Sequence, residues 1–291
     1  MDPWLVVDSA VRGVIIGLIY AMIALGFNIV YRVNKSINFA HPAIVLMTAY
    51  VALIASYSYG IIAAFIASAL AGIAAAVAIE RLVARPLLGR PPVALIGATL
   101  GVYYLIKGVS ITIGGAETAS LPIPSNLYHI GPVTLGLNDI IAGLGSIAVL
   151  GIVVLVHNKT RLGSAMRAVA EDVEGAAAYG LPVRRLMVLS WALAGLIGAL
   201  GGVFLAVKNQ VSVELEFYAI RALAASLLAG LDSIGGVVVG GIVLGLAEEL
   251  GGLFLDEYIP GIGYDIAFFI LLLVLIFKPY GIFGTERIER V

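Results

Sequence analysis

Lys107, Asp139, Arg221, Asp232, Glu248, Glu249 and Asp265 lie within or beside long apolar stretches. Ionisable residues in such places mark binding sites, ion paths or proton relays by default. They fall near the ends of the stretches, and no stretch carries a mid-helix run of Asp, Glu or His. That weighs against a proton-coupled carrier without excluding a sodium-coupled one. Lys107 and Arg221 are placed where a long side chain can snorkel to the interface. His41, His129 and His157 are far apart and lack metal-ligand spacing. The absence of cysteine excludes disulfides and thiolate metal sites.

Asn38 and His41 open an apolar run that also contains Pro42. One reading makes them a polar cap on a pathway. The other is an ordinary helix start, with Asn38 near the N-cap and Pro42 in the first turn. No Gly-x-Ser-x-Gly, His-Glu-x-x-His or Gly-Lys pair occurs, so no hydrolase, zinc-protease or P-loop chemistry is encoded. An enzyme is therefore not expected, no cofactor is implied, and any ATP dependence requires another chain.

The stretch 161–185 is the most informative polar segment. Leu162, Ala165, Val169, Val173, Ala176 and Gly180 recur at three- and four-residue steps, which predicts one helix with these residues on one face. Arg167, Glu171 and Glu174 fall on another face. Gly180, Leu181 and Pro182 end the helix. A helix lying on lipid has a basic polar face and bulky apolar anchors. This one is Ala-rich with mixed charge, which favours docking into a groove of another protein.

The elements that must position these groups follow from composition. Of 291 residues, 61% are hydrophobic and 12% charged, with a mean hydropathy of +1.08. The fold class is therefore all-α, a polytopic membrane helix bundle with lipid around it and no nucleic-acid partner. Spans are predicted at 11–30, 37–57, 61–79, 93–113, 140–156, 187–207 and 262–277. Residues 218–253 are apolar but interrupted at 231–236, where Asp232 and Ser233 join the candidate pathway residues. This region is one short span followed by another, or a hairpin of broken helices, for eight or nine segments in all. Met1, Asp2, Pro3 and Trp4 lack the basic region of a cleaved signal peptide, so the first stretch is expected to remain as an anchor.

Most Lys and Arg residues, among them Arg32, Arg81, Arg161, Lys278, Arg287 and Arg290, fall in alternate loops. The N-terminus is thus expected outside and the C-terminus inside. Small-residue stripes at Gly13, Gly17 and Ala21, at Ala194, Gly198 and Gly202, at Gly236 and Gly240, and at Gly241 and Gly245 predict close helix packing.

Four segments resemble one family. Met166-Arg167-Ala168-Val169-Ala170-Glu171-Asp172 with Ala176 and Gly180 is similar to the cytoplasmic loop of branched-chain amino acid ABC importer permeases of the LivH type. Asn38-Phe39-Ala40-His41, Asp232 through Glu248, and Lys278 through Gly284 match that family's segments in the same order. The chain departs in having Pro42 where the family usually has Gly, and Asp232 within a run usually rich in Gly. The resemblance implies a multi-pass permease of the cell membrane that carries branched-chain amino acids or a related small polar solute. It further implies two cytoplasmic ABC ATPase subunits, a second permease subunit and an extracytoplasmic solute-binding protein. Arg167, Glu171, Glu174 and Gly180 would form the ATPase-coupling site of this single 1–291 domain, within the loop at about 157–186. The alternative is a self-sufficient secondary transporter or channel.

Overall fold

The computed structural model describes residues 3–124, 126–131 and 133–285. Arg287 and Arg290 therefore lie outside the described residues. The elements, in order, are α1 (Pro3–Asn34), α2 (His41–Tyr59), α3 (Ile61–Ile79), α4 (Pro92–Gly114), β1 (Leu127–Ile130) and β2 (Val133–Gly136). They continue with α5 (Leu137–Lys159), α6 (Arg161–Glu171), α7 (Val173–Ala178), α8 (Val183–Lys208), α9 (Leu215–Ala229), α10 (Ile234–Leu255) and α11 (Ile262–Phe277). A π-helical turn, Glu80–Ala84, extends α3, and Arg85 folds back onto the buried Glu80 at 2.8 Å.

Among the described residues, seven helices are long and apolar enough to cross a membrane: α1, α2, α3 with its extension, α4, α5, α8 and α10. α9 and α11, at 15 and 16 residues, are shorter. The apolar region 218–253 thus resolves into two helices, α9 and α10, that fold against each other as a hairpin.

Nearly every residue of α1 from Gly13 to Val30 is buried, the pattern of a helix that is apolar all round. α10, α8, α9 and α5 surround it. The crossing with α10 is made by the predicted glycines: a Cβ on Gly17 would lie 2.7 Å from the Gly241 carbonyl oxygen, and one on Gly13 would lie 2.9 Å from that of Gly245. Close backbone approach of this kind replaces the hydrophobic drive that lipid does not supply. α3 meets α8 in the same way at Gly72 and Gly195. The outer helices turn large apolar side chains outward, including Ile62, Leu70, Leu144 and Phe269. That surface suits hydrocarbon.

Helices alone are expected from the sequence, yet β1 and β2 form an antiparallel hairpin with Leu127 opposite Gly136 and Ile130 opposite Val133. Asp8 and Arg12 of α1 grip it. Thr134 donates its N–H to Asp8 at 3.2 Å, and its carbonyl accepts from Arg12 at 2.8 Å.

Candidate functional site

The predicted single helix over 161–180 is two helices, because Asp172 breaks it. Its carboxylate accepts from the N–H groups of Glu174 at 3.0 Å and Gly175 at 2.9 Å, an N-cap that starts α7 anew. The face turned into the protein is Gly163, Met166, Val169, Ala170 and Ala176, whereas Leu162, Val173 and Gly180 are exposed. Gly180 does end α7. It sits at φ +79°, its N–H bonds to the Ala177 carbonyl, and the Leu181 N–H reaches back to Ala176. These two bonds make a Schellman cap.

Glu171 and Glu174 point to solvent, beside the nearly fully exposed Tyr179. Arg167 turns inward, donating to the His157 carbonyl and to Ser164 Oγ at 3.0 Å. A second fastening comes from α1. Lys35 donates to the Ala170 carbonyl at 2.7 Å, and Arg32 donates to His157 Nε2 at 3.1 Å. A guanidinium cannot accept, so the ring proton of His157 sits on Nδ1.

At the turn between α9 and α10 the structure gathers Asn28, which sequence reasoning missed. Its amide donates to the carbonyls of Gly230 and Ser233, both at 3.0 Å, and its Oδ1 accepts from Ser226. Ser233 is the N-cap of α10, accepting from Gly236 N–H at 3.0 Å. Asp232 holds the C-terminal tail, accepting from the N–H of Thr285 at 3.1 Å and from its hydroxyl. The tail satisfies the last carbonyls of α9, with Ile282 N–H on Leu228 at 2.8 Å and Phe283 N–H on Ala229 at 2.9 Å. Gly281 permits this approach, at φ +83° with its Cα against Gly230. A cavity of about 150 Å³ lies here, lined by Tyr31, Leu227, Asp232, Tyr280 and Thr285 among others. An Asn alone among the apolar residues of the first span was the available signal.

Asn38 and His41 are built as a helix start. The Asn38 side chain accepts from Ala40 N–H at 3.1 Å, while the N-cap position itself is Ala40. His41, 1% exposed, donates to the Ile23 carbonyl at 3.2 Å and wedges between Gly26 and Gly198, edge-on to Phe27. Among the described residues, their hydrogen bonds do not join them to Asp232 or Ser233.

Lys107 and Arg221 do not snorkel. Lys107 pairs with the buried Glu216 at 2.5 Å, and Tyr103 donates to the same carboxylate at 2.7 Å. Arg221 meets Glu248 at 3.1 Å and stacks on the rings of Tyr218 and Tyr264, while Tyr20 donates to Glu248 at 2.6 Å. Asp139 accepts from Lys208 at 2.8 Å, with Arg12 at 3.6 Å. Buried charges are tolerated only when paired in this way. Asp265 is exposed at the start of α11. Beside Glu248, a cavity of about 240 Å³ is lined by Ser9, Glu249, Asp256 and Tyr264.

The family described as branched-chain amino acid transport system / permease component matches residues 9–277, nearly the whole bundle just described. The chain belongs to that family. It is 29% identical to the high-affinity branched-chain amino acid transport system permease protein BraD of Pseudomonas aeruginosa, over 98% of this chain and 97% of that protein. To the permease protein LivH of Salmonella typhimurium it is 30% identical, over 96% of each. A chain of PsaBC from Streptococcus pneumoniae, solved in complex with Fab, shares the fold at a TM-score of 0.53 and 16% identity, covering 92% of this chain and 91% of that one. As a permease, the chain is a multi-pass membrane protein, and the relatives it matches are transport proteins.

Proposed function

We propose that this permease forms half of the translocation pathway of an ATP-driven importer for branched-chain amino acids or a related small polar solute. The carrying observation is the relation to BraD and LivH along nearly the full length of both chains. In this reading two cytoplasmic ATPase subunits supply the energy, a second permease subunit completes the pathway, and an extracytoplasmic binding protein delivers the solute.

Nine of the described helices enter the membrane, with α9 and α11 as the short ones, and the end carrying α6 and α7 faces the cytoplasm. Charge supports this orientation. Arg12 and Lys208, at the opposite end, are neutralised by Asp8 and Asp139, whereas Lys159, Arg161, Arg184 and Arg185 cluster near α6. Glu171 and Glu174, with Tyr179, form the ATPase contact. Arg167 braces that contact from inside, and Gly180 shapes its end. Asp232 and Ser233 lie at the moving part of the pathway, the α9–α10 turn, whereas Asn38 and His41 hold the start of α2.

The test is reconstitution in liposomes with the ATPase and binding-protein subunits. ATP-dependent uptake is expected, and the pair Glu171→Lys and Glu174→Lys should lower it roughly ten-fold or more, since like charges across an interface cost several kcal/mol. Uptake by this chain alone without ATP, or unchanged coupling in the reversed pair, would refute the reading.

A further inference from the structure

Asn28, Arg32 and Lys35 stand at i, i+4 and i+7, one stripe along the last turns of α1 and just past its end. Two turns of helix, about 10.5 Å, separate the first from the last. Asn28 grips both sides of the α9–α10 turn. Arg32 meets His157 at the end of α5, and Lys35 holds the last turn of α6 at the Ala170 carbonyl. Lys35 is also the only non-glycine residue at positive φ, +53°, among the described residues. A side chain held there by the surrounding fold marks a position where geometry is over-determined. A cation on the open carbonyls of a helix C-terminus is the electrostatically favoured arrangement. The same rigid helix therefore touches the loop that bears Glu171 and Glu174 and the turn that bears Asp232 and Ser233.

We propose that this stripe is the mechanical link of the permease, with Lys35 the positioning residue that makes α1 follow α6. Displacement of α6 by an ATPase pulls on Lys35 and Arg32, α1 shifts as a unit, and Asn28 carries the shift to the α9–α10 turn. The inference rests on the importer reading. It adds to that reading the route between the docking loop and the turn.

The experiment measures solute moved per ATP hydrolysed in the reconstituted importer, with assembly checked by copurification of the ATPase subunits. Lys35→Gly keeps the left-handed backbone and removes the donor. It should lower solute moved per ATP roughly ten-fold, the equivalent of one charged hydrogen bond, while assembly and basal ATPase activity persist. Lys35→Arg should restore most of the ratio. Asn28→Ala should uncouple to a similar degree, and the double variant should be no worse than the poorer single, because both interrupt one link. If Lys35→Gly does not assemble, Lys35→Met carries the same test with a side chain of similar reach and no donor. A wild-type ratio in the Lys35 variant, or losses at Lys35 and Asn28 that multiply, would overturn the link. A wild-type complex that binds no ATPase would instead overturn the importer reading.

Discussion

Replacing Glu248 with Gln removes the charge facing Arg221 but keeps the shape of the side chain and an acceptor for Tyr20. The two groups stand 3.1 Å apart with side-chain exposures of 11% and 8%. At that distance the gross attraction is on the order of 5 kcal/mol for an effective dielectric of about 20. Desolvation offsets much of it, but the single substitution leaves that cost on Arg221 without its partner. Breaking a buried pair from one side typically costs about 3–5 kcal/mol. The rings of Tyr218 and Tyr264 retain roughly 1–2 kcal/mol of cation–π attraction, so a loss of about 2–3 kcal/mol is expected. Arg221→Met should cost a similar amount, because it strands Glu248 with Tyr20 alone. The double variant, free of both charges, should return to within about 1 kcal/mol of the wild type. The assay is unfolding in detergent micelles by titration with SDS, followed by near-ultraviolet circular dichroism. Single losses that simply add in the double variant, with coupling below about 0.5 kcal/mol, would refute the reasoning.

Gly17→Leu should force α1 away from the Gly241 backbone and cost at least about 3 kcal/mol in the same titration. Gly97→Leu, with open space around it, should be nearly silent, and equal losses at the two sites would contradict the packing account. Gly180→Ala places a Cβ at φ +79° and should cost about 1–2 kcal/mol. Its mark in hydrogen exchange is faster exchange over 173–178 with α6 unchanged. Protection lost equally in α6 would show that the two helices act as one.

The long apolar stretches, the glycine stripes and the interruption before α10 could all be read in one dimension, because each is a local periodicity or a local break. The partners of the buried charges could not. Tyr20 meets Glu248 across 228 positions and Lys107 meets Glu216 across 109, so Glu248 and Lys107 each looked like a lone group near a segment end. The missed break at Asp172 was different: an N-cap acid two and three positions before Glu174 and Gly175 was present, but the helical spacing around it dominated. The hairpin was also within reach, since Gly131 and Pro132 punctuate a run containing Tyr128, Ile130 and Val133. Asn28 was passed over because it carries no charge.

The burial of α1 has a consequence for biogenesis. This helix leaves the ribosome before the other described helices, yet its main neighbour, α10, begins at Ile234. Until that neighbour has been synthesised, the grooved glycine side of the first helix and its amide at position 28 must be sheltered by lipid, by the insertion machinery or by provisional neighbours. Final closure of the bundle is accordingly a late, post-insertion event. Chains truncated before residue 234 should be prime substrates for membrane quality-control proteases.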